Sequence, residues 1–275
     1  MEKEPRASGR VQSIERVFSI IEMLKIHREL SISELSALLS LDRSTVHRLL
    51  ATLRYMGYVN QNKENLKYSN SLKFFDIGYS AMRALGLNNM ARPFMRQLAE
   101  QTNEGVNLAV IDSYCVLYID KIESQSTIRV NLPLGVYMPS YCTGLGKLLL
   151  SALPEGEVRG VFRNSSEQAV RGVTQDHLKL RRYTPSTITD VDRLCEELGR
   201  IRAQGYSIDD EEYISGLYCM AAPVYDYRGS VVAAMIVALA KIVGLDIGQR
   251  AQEVLPKLLE AARGVSEALG CRSRG

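Results

Sequence analysis

Residues 11–69 carry three helical periods and one turn-bounded pair of short strands, with few residues to spare between them. That order admits very few folds. Ile14, Val17, Phe18, Ile21 and Leu24 recur at three- and four-residue intervals and predict a helix from about residue 11, with that face inward. A loop at residues 27–30 ends it. Ser31 and Glu34 have the S-x-x-E spacing of a capping box, so a second helix starts there, with Ile32, Leu35, Leu38 and Leu39 on its apolar side. After a tight turn at Ser40 and Leu41, Asp42 is placed to cap a third helix. Its core face is Val46, Leu49, Leu50 and Leu53, and Gly57 ends it. Residues 58–61 and 66–69 flank Asn62-Lys63-Glu64-Asn65, a turn-forming stretch, and predict a hairpin. Three helices followed by a hairpin make a winged helix-turn-helix.

The third helix carries Ser44, His47, Arg48, Ala51 and Tyr55 on its outer face, with Arg43 and Thr45 at its N-terminal end. Arginine binds guanine edges, hydroxyls reach bases or phosphates, and a small residue allows close approach in the major groove. The plain alternative is an ordinary solvated helix face. The capped helix before it and the hairpin after it favour a reader of double-stranded DNA. Ser31 at the second helix joins that candidate surface, as do Lys63 and Lys67 in a wing rich in asparagine, placed to meet phosphate or the minor groove. Charge agrees: residues 1–85 hold 13 Lys and Arg against 9 Asp and Glu, whereas residues 86–275 hold 21 against 22.

Beyond the wing the pattern changes. Residues 72–87 read as a helix joining two domains, and its Leu72, Phe75, Ile77, Tyr79, Met82, Leu85 and Leu87 exceed what one core needs, which predicts a homodimer or tetramer. A helix at 90–101 is followed by β-rich segments at 106–111, 116–122 and 128–132, helices at 144–153 and 191–204, a hairpin at 219–225 and 230–238, and a final helix at 246–269. Hairpins with helices around them predict an α+β fold with a mainly antiparallel sheet. The expected division is a loose arm at 1–10, the winged helix-turn-helix at 11–71, a linker helix at 72–87 and a second domain at 88–272. The longest apolar run has ten residues, half a membrane span. The charged first residues lack a signal-peptide pattern, and five scattered cysteines argue for a reducing, cytoplasmic setting without membrane contact.

Few residues in the second domain carry chemistry. Gly144-Leu145-Gly146-Lys147 resembles a piece of a phosphate loop, but Tyr141 and Leu148 stand where glycine and Ser or Thr are required, which excludes a nucleotide. What remains is a small-anion cradle made by Thr143 and the amides of Gly144 and Leu145 at a helix start, or simply a tight turn that docks a helix. Cys142 would need a base, and the one histidine of this domain, His177, sits in a polar stretch. No catalytic residue, metal ligand or cofactor is assigned. Asp209-Asp210-Glu211-Glu212 reads as a solvated loop from which one acid can point into a pocket.

Taken together, VQSIERVFSIIEML, SISELSALLSLDRSTVHRLLATLRYMGYV and KYSNSLKFFDIG, then LPLGVYMPSYCTGLGKLLLSAL, RAQGYSIDDEEYISGLYCMAAPVYD and RGSVVAAMIVAL, resemble the IclR family of bacterial transcription regulators. The resemblance runs from about residue 11 to residue 269. It implies a GAF-like effector-binding second domain, a linker helix that helps dimerise the DNA-binding domains, and a pocket at Met138, Gly144, Leu145, Asp209, Leu217, Cys219, Ile236 and Ala238. Some relatives that bind small keto-acids carry hydroxyls where Ile236 and Ala238 stand, so a larger or partly apolar acid fits better here. The expected function is a transcriptional regulator of a catabolic operon, released or recruited by a small organic acid. The alternatives are an enzyme with an added DNA-binding domain and an architectural DNA binder that ignores metabolites.

Overall fold

A computed structural model of the chain describes residues 11–84, 86–124, 134–163 and 175–271. The expected arm at 1–10 and strand at 128–132 lie outside the described residues. The chain forms two compact units, Met1–Ala84 and Leu85–Gly275. No helix among the described residues is long and apolar enough to cross a membrane.

In the first unit, α1 (Gln12–His27), α2 (Ile32–Leu39) and α3 (Arg43–Tyr55) precede an antiparallel hairpin of β1 (Val59–Gln61) and β2 (Tyr68–Asn70) and then α4 (Lys73–Ala84). The capping box of α2 is complete: the Glu34 amide donates to Ser31 Oγ, and the Ser31 amide donates to the Glu34 carboxylate at 2.7 Å. Asp42 occupies the cap position of α3, but its side chain makes no capping bond. Gly57, at φ +80°, takes the left-handed conformation that ends α3. Ile20, Leu24, Leu35, Val46, Leu50, Leu53, Val59 and Tyr68 form the core. Leu30 joins it through paired backbone bonds with Tyr68, extending the hairpin by one position that its own sequence does not announce. The expected inward face of α1 is corrected at two places: Ile14 and Phe18 are exposed. A three-helix core reaches Val17, Ile20, Ile21, Met23 and Leu24 along that helix, which leaves Ile14 and Phe18 uncovered.

The second unit starts with α5 (Leu87–Thr102), where Leu87 is buried. Then come β3 (Val106–Asp112), β4 (Cys115–Ile122), β5 (Tyr137–Pro139), α6 (Gly144–Ser151), α7 (Glu155–Arg163), α8 (Val191–Gln204), β6 (Ser207–Asp210), β7 (Leu217–Tyr225), β8 (Val231–Ala240) and α9 (Ile247–Ala268). The six strands form one antiparallel sheet in the order β5-β4-β3-β8-β7-β6. α5 and α9 pack on one face. α6 packs on the other, against α8, which in turn holds α7. Both faces are therefore buried, and β7 and β8 read as near-continuous apolar runs rather than alternating ones.

Gly146 sets how closely α6 approaches. A Cβ built there would fall on the backbone of Ser140. Gly146→Ala is expected to cost at least about 1–3 kcal/mol through overpacking. Gly199→Ala, in the middle of α8 with open space around it, should gain about 0.5–1 kcal/mol. Urea unfolding of the two variants measures this opposite pair of signs.

Candidate functional sites

The outer face of α3 is open. Arg43, Ser44, His47, Arg48 and Ala51 are exposed, Tyr55 is 92% exposed and Thr45 is half-buried. Among the described residues no carboxylate pairs with Arg43, Arg48 or Lys63, although ion pairs occupy many other cations of the chain. The first-turn amides of α3 lack intrahelical partners and favour a phosphate. Two of the expected contacts are otherwise engaged. Lys67 Nζ lies 3.1 Å from Glu34, and Ser31 is committed to the α2 cap. The Ser31 amide and hydroxyl, with Lys67, hold the Glu34 carboxyl down at about 2. Arg54, which the sequence does not single out, donates to Gln61 at 2.6 Å and ties α3 to the wing.

In the second unit, strand register gathers the expected small-ligand residues on the α6 face of the sheet. Asp209 pairs with Cys219, and Cys219 with Ala238; Ala221 pairs with Ile236. A Cβ on Gly144 would meet Ile236 at 3.4 Å, Asp209 at 3.6 Å and Cys219 at 3.7 Å, so these three strands converge on the first residue of α6. Met138, Leu217 and Ala238 pack partly buried around the same cluster. Leu145 is wholly buried within it, so its side chain belongs to the core and only its amide is available to a ligand. Thr143 Oγ1 donates to the Pro139 carbonyl at 2.9 Å and accepts from the Gly146 amide at 3.2 Å, which makes it the N-cap of α6.

The acidic run is not a solvated loop. Ser207–Asp210 is an edge strand, and two acids of the run are buried, Asp209 and Glu212. The Asp209 carboxylate accepts from the Glu212 amide at 2.8 Å and from the Gly144 amide. Burial still raises its pKa to about 6, against the pull of those amides and of Lys147. Lys147, the residue that looked like a phosphate-loop lysine, is buried. Its Nζ donates to Glu212, to the Ile208 carbonyl at 2.7 Å and to Glu197 at 3.4 Å. Burial raises Glu212 to about 7. This lysine pins α6 to β6 and α8 and is not offered to a ligand. Burial also pushes the Cys142 and Cys219 thiols up, away from the thiolate a nucleophile needs.

Tyr118 and Tyr213 border this cluster and carry no periodic signal by which the sequence could reveal them. Tyr213 stacks edge-on against Tyr183 at 4.7 Å, and Tyr183 lies 6.5 Å from Tyr141. A separate cavity of about 890 Å³ opens on the opposite face of the sheet, beside Pro223, Tyr227, Arg228, Leu259 and Arg263, and none of the expected ligand residues lines it.

Residues 79–267 match the family described as bacterial transcriptional regulator IclR, C-terminal, and residues 13–63 match the IclR helix-turn-helix domain. The HTH-type transcriptional regulator KdgR of Escherichia coli is 35% identical over 270 residues, covering 98% of this chain and 96% of the relative. Among solved structures, Thermotoga maritima IclR is 25% identical with a TM-score of 0.72, covering 95% of this chain and 100% of that one. An IclR homologue from Microbacterium hydrocarbonoxydans, solved in complex with 4-hydroxybenzoate, shares the fold with a TM-score of 0.75 at 22% identity, covering 94% of this chain and 98% of that one.

One titration follows from the buried carboxyl. The folded pKa of Asp209 lies above its unfolded value of about 3.9, so the native state holds this proton more tightly. Its stabilisation is complete below the unfolded value and fades as pH rises through about 6. Asp209→Asn should lose less stability than the unaltered chain between pH 5 and pH 8 in urea unfolding. Equal losses would place the carboxylate in water.

Proposed function

The chain belongs to the IclR family of bacterial transcriptional regulators, and on that premise we propose which of its residues do the work. Arg43, Ser44, Thr45, His47, Arg48 and Tyr55 enter the major groove of the operator, and Lys63 at the wing tip meets phosphate. Lys67 and Ser31 support that surface from behind, because their polar groups already serve the α2 cap. The observation that carries this reading is the basic outer face of α3, whose arginines have no carboxylate partner among the described residues.

The second unit binds a small organic acid at the start of α6. Gly144 and Leu145 present amides, Asp209 presents a carboxyl, and Met138, Leu217, Cys219, Ile236 and Ala238 supply carbon surface. The fold neighbour that holds 4-hydroxybenzoate supports an acid of this kind. The chain acts in the cytoplasm, where its operator is, and governs genes that break down the acid or its precursors. It works as a dimer or tetramer. Leu72 just before α4, Ile77 on α4, and Ile14 and Phe18 on α1 are too exposed and too apolar to be left to water. The carboxyls nearest Cys142, at Asp209 and Glu212, push its thiol up further, and the raised thiols favour binding over catalysis.

Arg48→Ala is expected to cost about 1–3 kcal/mol of specific operator affinity if it reads a base edge, while Lys63→Ala should mainly flatten the salt dependence. Gel-shift titration at two salt concentrations separates these effects, and unchanged affinity in both Arg43→Ala and Arg48→Ala refutes the groove assignment. For the pocket, Ala238→Phe adds bulk beside Cys219 without burying a charge. It should retain operator binding and lose release by the effector. A variant that is still released at the same effector concentration places the pocket elsewhere.

A further inference from the structure

Among the described residues, the side chains of Asn107 and Tyr118, on the α6 face of the sheet, make no hydrogen bond. Asn107 on β3 pairs in register with Ile236 on β8. Tyr118 on β4 pairs with Ala109 on β3, which pairs in turn with Ala234. Cross-strand partners share a face of the sheet, so both side chains stand with Ile236 and Cys219 and not with α5 and α9. Asn107 is 8% exposed and Tyr118 3%. Among the described residues, nothing hydrogen bonds to the Asn107 amide group or to the Tyr118 hydroxyl. The phenol lies within electrostatic reach of Cys219, Asp209 and Tyr213, and burial pushes its pKa up, so it stays a neutral donor at every physiological pH.

Buried polar atoms without a partner among the described residues are at Asn70, Asn88 and Glu212, so the unbonded Asn107 amide and Tyr118 hydroxyl keep access to open space, and a ligand that enters there exchanges their water for a direct bond. The β8 wall beside them is apolar at Ile236 and Ala238, so it supplies none. Asp209, on β6, lies across Ile236 and Cys219 from Asn107 and Tyr118 in the strand order, and Gly144 stands against all three. We propose that Asn107 and Tyr118 are the specificity-determining residues of the effector site: they hydrogen bond a second polar group of the effector, a hydroxyl or carbonyl, and select hydroxy- or oxo-acids over plain acids of the same carbon skeleton. This rests on the pocket assigned above. It moves the polar selection from β8 to the β3–β4 side of the sheet. Asn107 both donates and accepts, and Tyr118 donates, so a hydroxyl held between them satisfies both.

The test is calorimetric titration of the full chain with two matched pairs: 4-hydroxybenzoate against benzoate, and 5-hydroxypentanoate against pentanoate. The expected result is a preference of about tenfold or more for the hydroxylated member of at least one pair. Tyr118→Phe and Asn107→Leu should each reduce that ratio to about threefold or less. A purely structural role for either residue would weaken both members alike and leave the ratio intact. Tyr118→Phe keeps the ring, and thermal unfolding shows whether Asn107→Leu is folded. An undiminished ratio in both variants overturns the proposal and leaves trapped water as the partner. Ala238→Phe separates the two claims. If it abolishes binding of every acid while the ratio survives in the other variants, only the proposal falls. If it leaves binding intact, the pocket and the proposal fall together. An unaltered chain that binds none of the four acids, or that binds both members of each pair equally, also overturns it.

Discussion

The contact of Gly146 with the backbone of Ser140 fixes the second unit's chemistry. It lets α6 settle onto the sheet closely enough for its first residue, Gly144, to meet three strands at once. Any side chain at that position would lift the helix and separate Gly144 from Asp209, Cys219 and Ile236. The fixed helix then allows Lys147, one turn on, to bury its charge between Glu212, Glu197 and the Ile208 carbonyl. Removing one partner of such a buried pair costs about 3–5 kcal/mol, far more than a surface ion pair contributes. The turn and the proposed anion cradle are therefore one feature. The glycines are there for packing, and the amide that Gly144 presents at the helix start is a by-product.

That amide is already taken in part by the Asp209 carboxylate. A second carboxylate brought to the same place meets a like charge in a buried setting, so it binds better when Asp209 carries a proton or turns aside. Because Asp209 lies on edge strand β6, and its neighbour Glu212 holds Lys147, a shift at Asp209 is transmitted to α6 and α8 through bonds already formed. Ligand occupancy has differential contacts to work on here, which any control of operator binding requires.

Local rules made the first unit legible. The Ser31–Glu34 box, the inner face of α3 and the asparagine-rich turn each declare an element in a few residues, and the structure places all three accordingly. The misreadings there arise from competition for surface. α1 has more apolar positions than its core can cover, so Ile14 and Phe18 looked inward and are not. Sequence also does not reveal that Glu34, thirty-three residues earlier, stands beside Lys67, the residue expected to meet phosphate.

The second unit was legible in outline only. Its sheet is covered on both sides, so burial does not alternate along β7 or β8, and the side facing α6 cannot be picked out from the chain. Asp209 and Glu212 sit inside a run that resembles a solvated loop, and only the packing around them shows that two of its acids are buried. Asn107 and Tyr118 lie in apolar segments where each looks like a tolerated exception, and their lack of partners is visible only once the neighbours are placed. Backbone amide resonances test the account most directly. Titrating the full chain with the tighter-binding hydroxy-acid should move the amides of Gly144, Leu145, Asp209 and Cys219 most, with Asn107 and Tyr118 next. Shifts concentrated instead at Tyr227, Arg228 and Gly270, on the opposite face of the sheet, would contradict it.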